Sequence, residues 1–222
     1  MSDLRFLKEY YVNQVLKHVP ASRKVFEIGA GYGNFTIKLA SISKQVRVFE
    51  INPKLFRILQ RKISSLKNVI AINDDAFKYV PEIDEIVFTD LPFSRSRDFI
   101  VWLSKNVVME VYAIVQSEFY EKISSAPGNK NYTGVSVLFN LLFEHVKVMD
   151  IPSDAYIPTP RVHATFFIAK RKSTITLTDE QINKVLTLMN RRNSSSATKP
   201  GRKLFQLSPE EILDEARVVD EL

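Results

Sequence analysis

The sequence predicts an α/β domain built on an open parallel sheet with helices on both faces, and two features predict it. The first is Val25-Phe26-Glu27-Ile28-Gly29-Ala30-Gly31-Tyr32-Gly33-Asn34-Phe35-Thr36, which reads as a buried strand, a glycine loop and the first turn of a helix. Glycines at alternate positions let the chain reverse sharply and bring bare backbone amides against a ligand. The second is an alternation of short apolar runs with helical stretches from residue 23 to residue 116, the pattern of β-α-β units. Connections in such sheets are right-handed, so the ends of the first four strands of the alternation should line one ligand crevice.

The elements follow in order. Leu4, Leu7, Tyr11, Val15 and Val19 make a helical stripe that predicts a helix over 3–18, closed by Pro20. Strands are predicted at 23–28, 45–50, 68–72, 85–89 and 111–116. Between them lie helices from Asn34, from Asn52-Pro53 and over 98–104, with Pro53 suited to a first helical turn. Residues 117–125 suit a helix, 126–131 a polar loop, and 135–143 a buried helix. Late strands are expected at 146–151 and 163–169, joined by an extended connection that Pro152, Pro158 and Pro160 stiffen. After Lys172 the composition changes. A helix over 178–190, a basic, serine-rich and mobile stretch over 191–203, and a last short helix from Ser208-Pro209-Glu210-Glu211 are expected there. The expected organisation is a domain over 1–172 and a small, reduced helical C-terminal region over 173–222.

Composition narrows the function. The chain has 222 residues, 45% of them hydrophobic, enough for a sizeable core. Lys and Arg outnumber Asp and Glu by 31 to 25, for a net charge of +6, which favours a polyanionic partner such as nucleic acid. With no cysteine, disulfides, thiolate metal sites and a cysteine nucleophile are excluded. His18, His145 and His163 are scattered without ligand spacing, so no metal is expected. Met1-Ser2-Asp3-Leu4-Arg5 does not read as a signal peptide and no apolar run has the length of a membrane span, so a soluble, cytoplasmic protein is expected.

Two motifs carry chemistry. The glycine spacing is Gly-x-Gly-x-Gly rather than the Gly-x-Gly-x-x-Gly of dinucleotide folds. Glu50 ends the second apolar run, where it could accept both hydroxyls of a ribose. Together with Glu27 in the first strand, this indicates S-adenosylmethionine rather than NAD, and a Rossmann-like methyltransferase sheet. The second motif, Asp90-Leu91-Pro92-Phe93, sits where a strand opens into the crevice. An acidic side chain, a backbone carbonyl and a ring suit the task of holding a planar amine. Hydrogen bonds from adenine N6 to the Asp90 carboxylate and the Leu91 carbonyl would favour a tetrahedral nitrogen whose lone pair points at a sulfonium methyl. Phe93 would stack on the base. Arg95, Arg97, Arg191, Arg192, Arg202 and Lys203 could hold phosphates.

Here the sequence resembles the ribosomal-RNA adenine dimethyltransferases and their macrolide-resistance relatives, from about Phe6 to Lys170. The shared segments include Phe6-Leu7, Phe26 to Gly33, Phe49-Glu50-Ile51, Asp74-Asp75-Ala76, Asp90 to Phe93, Tyr132 to Val137 and Tyr156-Ile157-Pro158-Thr159-Pro160-Arg161-Val162. The resemblance implies a cofactor site formed by Phe6, Leu7, Glu27, Gly29, Ala30, Gly31, Glu50, Ile51, Asp75, Ala76 and Asp90. In it Gly29 and Gly31 approach the methionine part, Glu50 holds the ribose, Ile51 packs on the cofactor's adenine and Asp75 accepts from that adenine's amine. It also implies that Asp90, Leu91, Pro92 and Phe93 hold the target base, with Tyr156 on its other side. Departures from the family stand out: Asp90 replaces its usual Asn, Phe93 its usual Tyr and Tyr156 its usual Phe, Leu4-Arg5 stands where a glutamine is expected, and the tail after Lys172 is short. The expectation is a monomeric RNA adenine methyltransferase whose partner is the small ribosomal subunit precursor, with adjacent adenosines near the 3′ end of small-subunit rRNA as its target. The alternatives are a catalytically weak assembly factor and a methyltransferase of large-subunit RNA.

Overall fold

The computed structural model describes residues 5–218. Strand β1 (Phe6–Leu7) leads into α1 (Glu9–Leu16), β2 (Lys24–Ile28), α2 (Asn34–Ile42), β3 (Gln45–Phe49), α3 (Pro53–Ile63) and β4 (Val69–Ile72). Next come β5 (Glu85–Asp90), α4 (Ser96–Lys105), β6 (Glu110–Gln116), α5 (Ser117–Ile123) and α6 (Gly134–Leu142). The chain continues through β7 (Phe143–Ile151), β8 (Tyr156–Ile157), β9 (Ala164–Arg171), α7 (Asp179–Asn190) and α8 (Pro209–Val218).

Seven strands form one sheet in the order β4-β3-β2-β5-β6-β9-β7. From β4 across to β6 the pairs are parallel, and β9 lies antiparallel between β6 and β7. The chain steps outward from β2 to β4 and then returns to place β5 on the other side of β2. That reversal is the switch point at which open α/β sheets bind ligands. Register sharpens it: Ile28 pairs with Phe49 on one side and with Thr89 on the other. Gly29, Glu50 and Asp90, each one residue further on, therefore come out side by side.

Successive strand residues point to opposite faces and build two cores. Val25, Val48, Ile86 and Phe88 pack with Val15 of α1, Leu39 of α2 and Leu59 of α3. Phe26, Val87 and Val111 pack with Trp102 of α4 and Leu138 of α6, on the opposite face. This is the Rossmann-like arrangement the sequence predicts, with helices on both faces.

The N-terminal stripe predicts too long a helix. The structure starts α1 at Glu9 and makes Phe6–Leu7 a strand, with Phe6 opposite Ile157 and Leu7 opposite Tyr156. Leu4 lies outside the described residues. Pairing with β8, extended by a 2.8 Å hydrogen bond from the Lys8 amide to the Ala155 carbonyl, wins over helical periodicity. Leu7 is buried either way, so the stripe could not distinguish the two.

The helices after residue 172 share the core beneath α4 and α6, through Ile182, Val185 and Met189 of α7 and Ile212 of α8. The basic stretch expected to be mobile is drawn in by the buried Glu215 carboxylate. That carboxylate accepts from the Ser196 hydroxyl at 2.8 Å and the Thr198 amide at 3.0 Å, while Arg202 pairs with Glu211 at 3.0 Å. Among the described residues no helix is long and apolar enough to cross a membrane, and no group of three or more His, Asp or Glu side chains could hold a metal ion.

Helix α7 approaches α6 closely at Gly134, where a Cβ would come within 2.9 Å of Leu186 Cδ2 and 3.0 Å of its Cα. Backbone cannot give way as a flexible side-chain end can. Gly134→Ala is expected to lower unfolding free energy by about 1–3 kcal/mol, read by denaturant titration. An unchanged midpoint would mean that α7 is not held against α6 there.

Candidate active site

The aligned strand ends open on a cavity of 260 Å³ whose walls include Gly29, Gly31, Glu50, Ile51, Asp75 and Asp90. The amides of Gly29 and Ala30 both donate to the Phe49 carbonyl at 3.0 Å, which stitches the glycine loop to the end of β3. Gly31, at φ 56° with open space beside it, turns its amide outward in a conformation that costs a residue with a side chain. That amide donates to Glu50 Oε2 at 2.8 Å, and the Asn52 amide donates to Oε1 at 2.8 Å. Burial raises the Glu50 pKa while the two backbone hydrogen bonds pull it down. Asn52 also caps α3, its Oδ1 accepting from the Lys54 amide at 2.9 Å, and Asn73 Nδ2 donates to the Glu50 carbonyl at 2.6 Å. One carboxylate and two asparagines thus hold the glycine loop, the start of α3 and the end of β4 together.

Glu27 lies behind the loop and is buried, with Oε2 lacking any partner. Burial, with the Glu50 charge adding to it, pushes its carboxyl up to about 8. An unpaired buried polar atom is costly, and Glu27 stands behind the residues that line the cavity. On the opposite wall Asp75 accepts from the Phe77 amide at 3.0 Å and from Arg95 Nη2 at 2.9 Å. Ile51, 59% exposed, offers the cavity a bare apolar face.

The Asp90 side is arranged differently. The Leu91 amide continues the ladder to the Ile114 carbonyl at 2.9 Å, and Pro92 has no N–H to offer, so the chain leaves the sheet there. Tyr156, fully buried, donates its hydroxyl to Asp90 Oδ1 at 3.2 Å. Burial raises the Asp90 carboxyl to about 6, against the opposing pull of the Arg5 charge and then the Tyr156 hydroxyl. Arg5 Nη2 donates to the Leu91 carbonyl at 3.2 Å. Its guanidinium carbon stands 3.2 Å from the Phe93 ring centroid and 5.2 Å from that of Tyr156. Three of the positions where the sequence departs from its resembled family, 90, 93 and 156, thus meet at Arg5.

Of the residues predicted from sequence, Gly29, Gly31, Glu50, Ile51, Asp75, Ala76, Asp90, Leu91 and Pro92 line this one cavity. Glu27 and Ala30 are buried, Leu7 is core, and Phe6 packs on Tyr32 of the loop with ring centroids 4.6 Å apart. Phe93 and Arg97 line a second, more polar groove of 760 Å³ that runs toward Lys122, Asn131 and Asn190. Arg95 is turned into the first cavity, paired with Asp75 and Asp98 and lying over Phe77. Arg191 is exposed at the end of α7 and lines neither cavity, and Arg192 is engaged with the Lys130 and Tyr132 carbonyls. The sequence reading passed over Arg5, Asn52 and Asn73. Asn52, placed before the helix-opening Pro53, carries a capping signal, Arg5 shows only as part of the departure at Leu4-Arg5, and Asn73 carries none.

A model of the family "Ribosomal RNA adenine dimethylase" matches residues 5–220. The ribosomal RNA small subunit methyltransferase A of Thermotoga neapolitana is 30% identical over 209 residues, covering 86% of this chain and 78% of its own length. The protein of the same name from Borrelia garinii is 30% identical over 170 residues and 71% of this chain, which spans 60% of that relative's length. A dimethyladenosine transferase from Plasmodium falciparum shares the fold, with a TM-score of 0.80 at 18% identity over 97% of this chain and 98% of the other. Matched from the strand before α1 to the end of α8, the chain belongs to the ribosomal RNA adenine dimethylase family.

Proposed function

We propose that this protein methylates the exocyclic amines of adenines in ribosomal RNA, using S-adenosylmethionine. Its target on this reading is adjacent adenosines near the 3′ end of small-subunit RNA, in the assembling subunit. The observation that carries the reading is the side-by-side emergence of Gly29, Glu50 and Asp90 on one cavity. It sets a cofactor cradle against a grip for an amine.

The residues present fit the cofactor. Gly29, Ala30 and Gly31 supply close backbone, Glu50 keeps lone pairs free for ribose hydroxyls, and Ile51, Asp75 and Ala76 suit an adenine face and edge. The orphaned Oε2 of Glu27 suits the ammonium of the methionine part. S-adenosylmethionine supplies an electrophilic sulfonium methyl group. The chain supplies the rest. Asp90 and the Leu91 carbonyl accept from the two N6 protons and localise the nitrogen lone pair, Phe93 provides a stacking face, and Asp90 is placed to receive the proton that the alkylated nitrogen sheds. An adenine inside a duplex cannot reach this grip, so the base enters unstacked. The groove from Phe93 past Arg97 to Lys122 suits the flanking strand, between a catalytic body over 1–172 and a helical region over 173–222.

The direct test is to incubate the protein with labelled cofactor and, separately, unmodified 30S and 50S particles and to map the label. Label in 50S but not in 30S particles would move the target to large-subunit RNA, and no transfer to either would favour an assembly factor that only binds. Asp90→Ala should cut transfer by about 100-fold or more while RNA binding survives. Asp90→Asn keeps the hydrogen-bond acceptor but not the proton acceptor, so its transfer should be reduced yet stay well above that of Asp90→Ala. Wild-type kcat/KM, which reports the free enzyme with Arg5 in place, should fall below about pH 6 as Asp90 takes up a proton, and Asp90→Asn should lack that acidic limb.

Glu27 gives a stability signature. Folded, it holds its proton to about pH 8; unfolded, it ionises near 4.5. Stability is therefore full below the lower value and falls as pH rises toward the upper one, by about 1.4 kcal/mol per unit. Glu27→Gln should flatten that fall between pH 5 and 8 in denaturant titrations, and should weaken cofactor binding.

A further inference from the structure

Arg5 lies where the proposed reaction needs its substrate. Its Nη2 bonds to the Leu91 carbonyl at 3.2 Å, the same oxygen that must accept from the target amine. Its guanidinium covers the Phe93 ring with the carbon 3.2 Å from the centroid, the face on which the base must stack. It also stands beside Asp90, the other acceptor of the grip. A guanidinium is planar, presents N–H donors in its plane and stacks on aromatic rings. In those three respects it imitates the amine edge and face of an adenine. Arg5 and the base cannot hold these positions together.

From this overlap we propose that Arg5 is an internal stand-in for the target base, a plug that the incoming adenine displaces. The inference rests on the reading of Asp90, Leu91 and Phe93 as the base grip. Two features suit Arg5 to leaving. Its Nε is buried without a partner, so the plugged state leaves one donor unsatisfied. It also directly precedes β1, a strand of two residues, while the chain beyond is pinned by the Lys8 amide on the Ala155 carbonyl. The anchor therefore falls after Arg5, and the side chain can swing out without unpicking the sheet. Once out, its charge sits at the mouth of the slot, where an RNA strand brings phosphates.

A plug lowers the apparent affinity of the slot for any base by the fraction of molecules in which the slot is open. The test is calorimetric titration of adenosine into the full chain saturated with S-adenosylhomocysteine, which blocks the cofactor cavity, for wild type, Arg5→Ala and Arg5→Lys. Adenosine carries no phosphate, so the titration reads the slot without any contribution from backbone contacts or turnover. Arg5→Ala is expected to bind adenosine about tenfold more tightly than wild type. Arg5→Lys, which keeps the charge and loses the planar face, should also bind more tightly. Its pH–rate profile should keep the wild-type acidic limb, whereas that of Arg5→Ala should move to higher pH. Equal or weaker adenosine binding by both variants, or no binding by any of the three proteins, overturns the plug. Should Arg5→Ala fail to fold, Arg5→Lys decides by the same titration. Failure of the functional reading shows separately, as absence of label transfer to ribosomal particles by wild type.

Discussion

The site depends on one buried carboxylate. Glu50 ends β3, and its two oxygens accept the amides of Gly31 and Asn52, both at 2.8 Å. A carboxylate removed from water is stable only when its oxygens are paired, and backbone amides at a turn and at a helix start are strong partners for it. The bonds also do mechanical work. The Gly31 amide fixes the loop after β2, the Asn52 amide fixes the entry to α3, and Asn73 ties the Glu50 carbonyl to the end of β4. Three separate chain segments thereby take their positions from one residue. Because β2 pairs in register with both β3 and β5, the same arrangement sets Asp90 beside the loop.

The two halves of the site obey opposite electrostatic rules. Around Glu50 the charge is compensated by backbone dipoles that cannot leave. Around Asp90 it is compensated by side chains, the Tyr156 hydroxyl and the Arg5 guanidinium, of which one belongs to a buried ring and the other to a residue ahead of a two-residue strand. A permanent cradle suits a cofactor that every turnover uses alike. An adjustable grip suits a substrate that must enter, be held and leave.

Most of the lining of the cavity was legible in the sequence because its signals are local. A glycine loop after an apolar run, an acid at the end of the next run and an Asp-Leu-Pro-Phe turn each declare a strand end within a few residues, and the α/β pattern lines those ends up. What failed was set by distant partners. Phe6 and Leu7 read as the first turn of a helix because nothing nearby announces that Tyr156 and Ile157 will pair with them. The serine-rich basic stretch read as solvated because the Glu215 carboxylate that gathers it lies on the far side of a turn. Arg5 showed in the sequence only as a departure from the resembled family, because its neighbours Leu91 and Phe93 come from the turn after β5 and Tyr156 from β8.

The plug and the proton acceptor are consequences of one placement. Asp90 is desolvated, and a desolvated carboxyl tends to hold its proton; the Arg5 charge, more than the Tyr156 hydroxyl, opposes this and keeps it near 6. With Arg5 in the slot, Asp90 is therefore a carboxylate at neutral pH, ready to accept a hydrogen bond from an amine. When a base displaces the guanidinium, the largest force keeping Asp90 ionised goes with it, and its affinity for a proton rises. The rise is thus in place before the methylated nitrogen has a proton to lose. An asparagine at this position would need neither the arginine nor the tyrosine hydroxyl, and could not take the proton. The exchange of a neutral amide for an acid is thus coherent only together with the cation that shares its pocket.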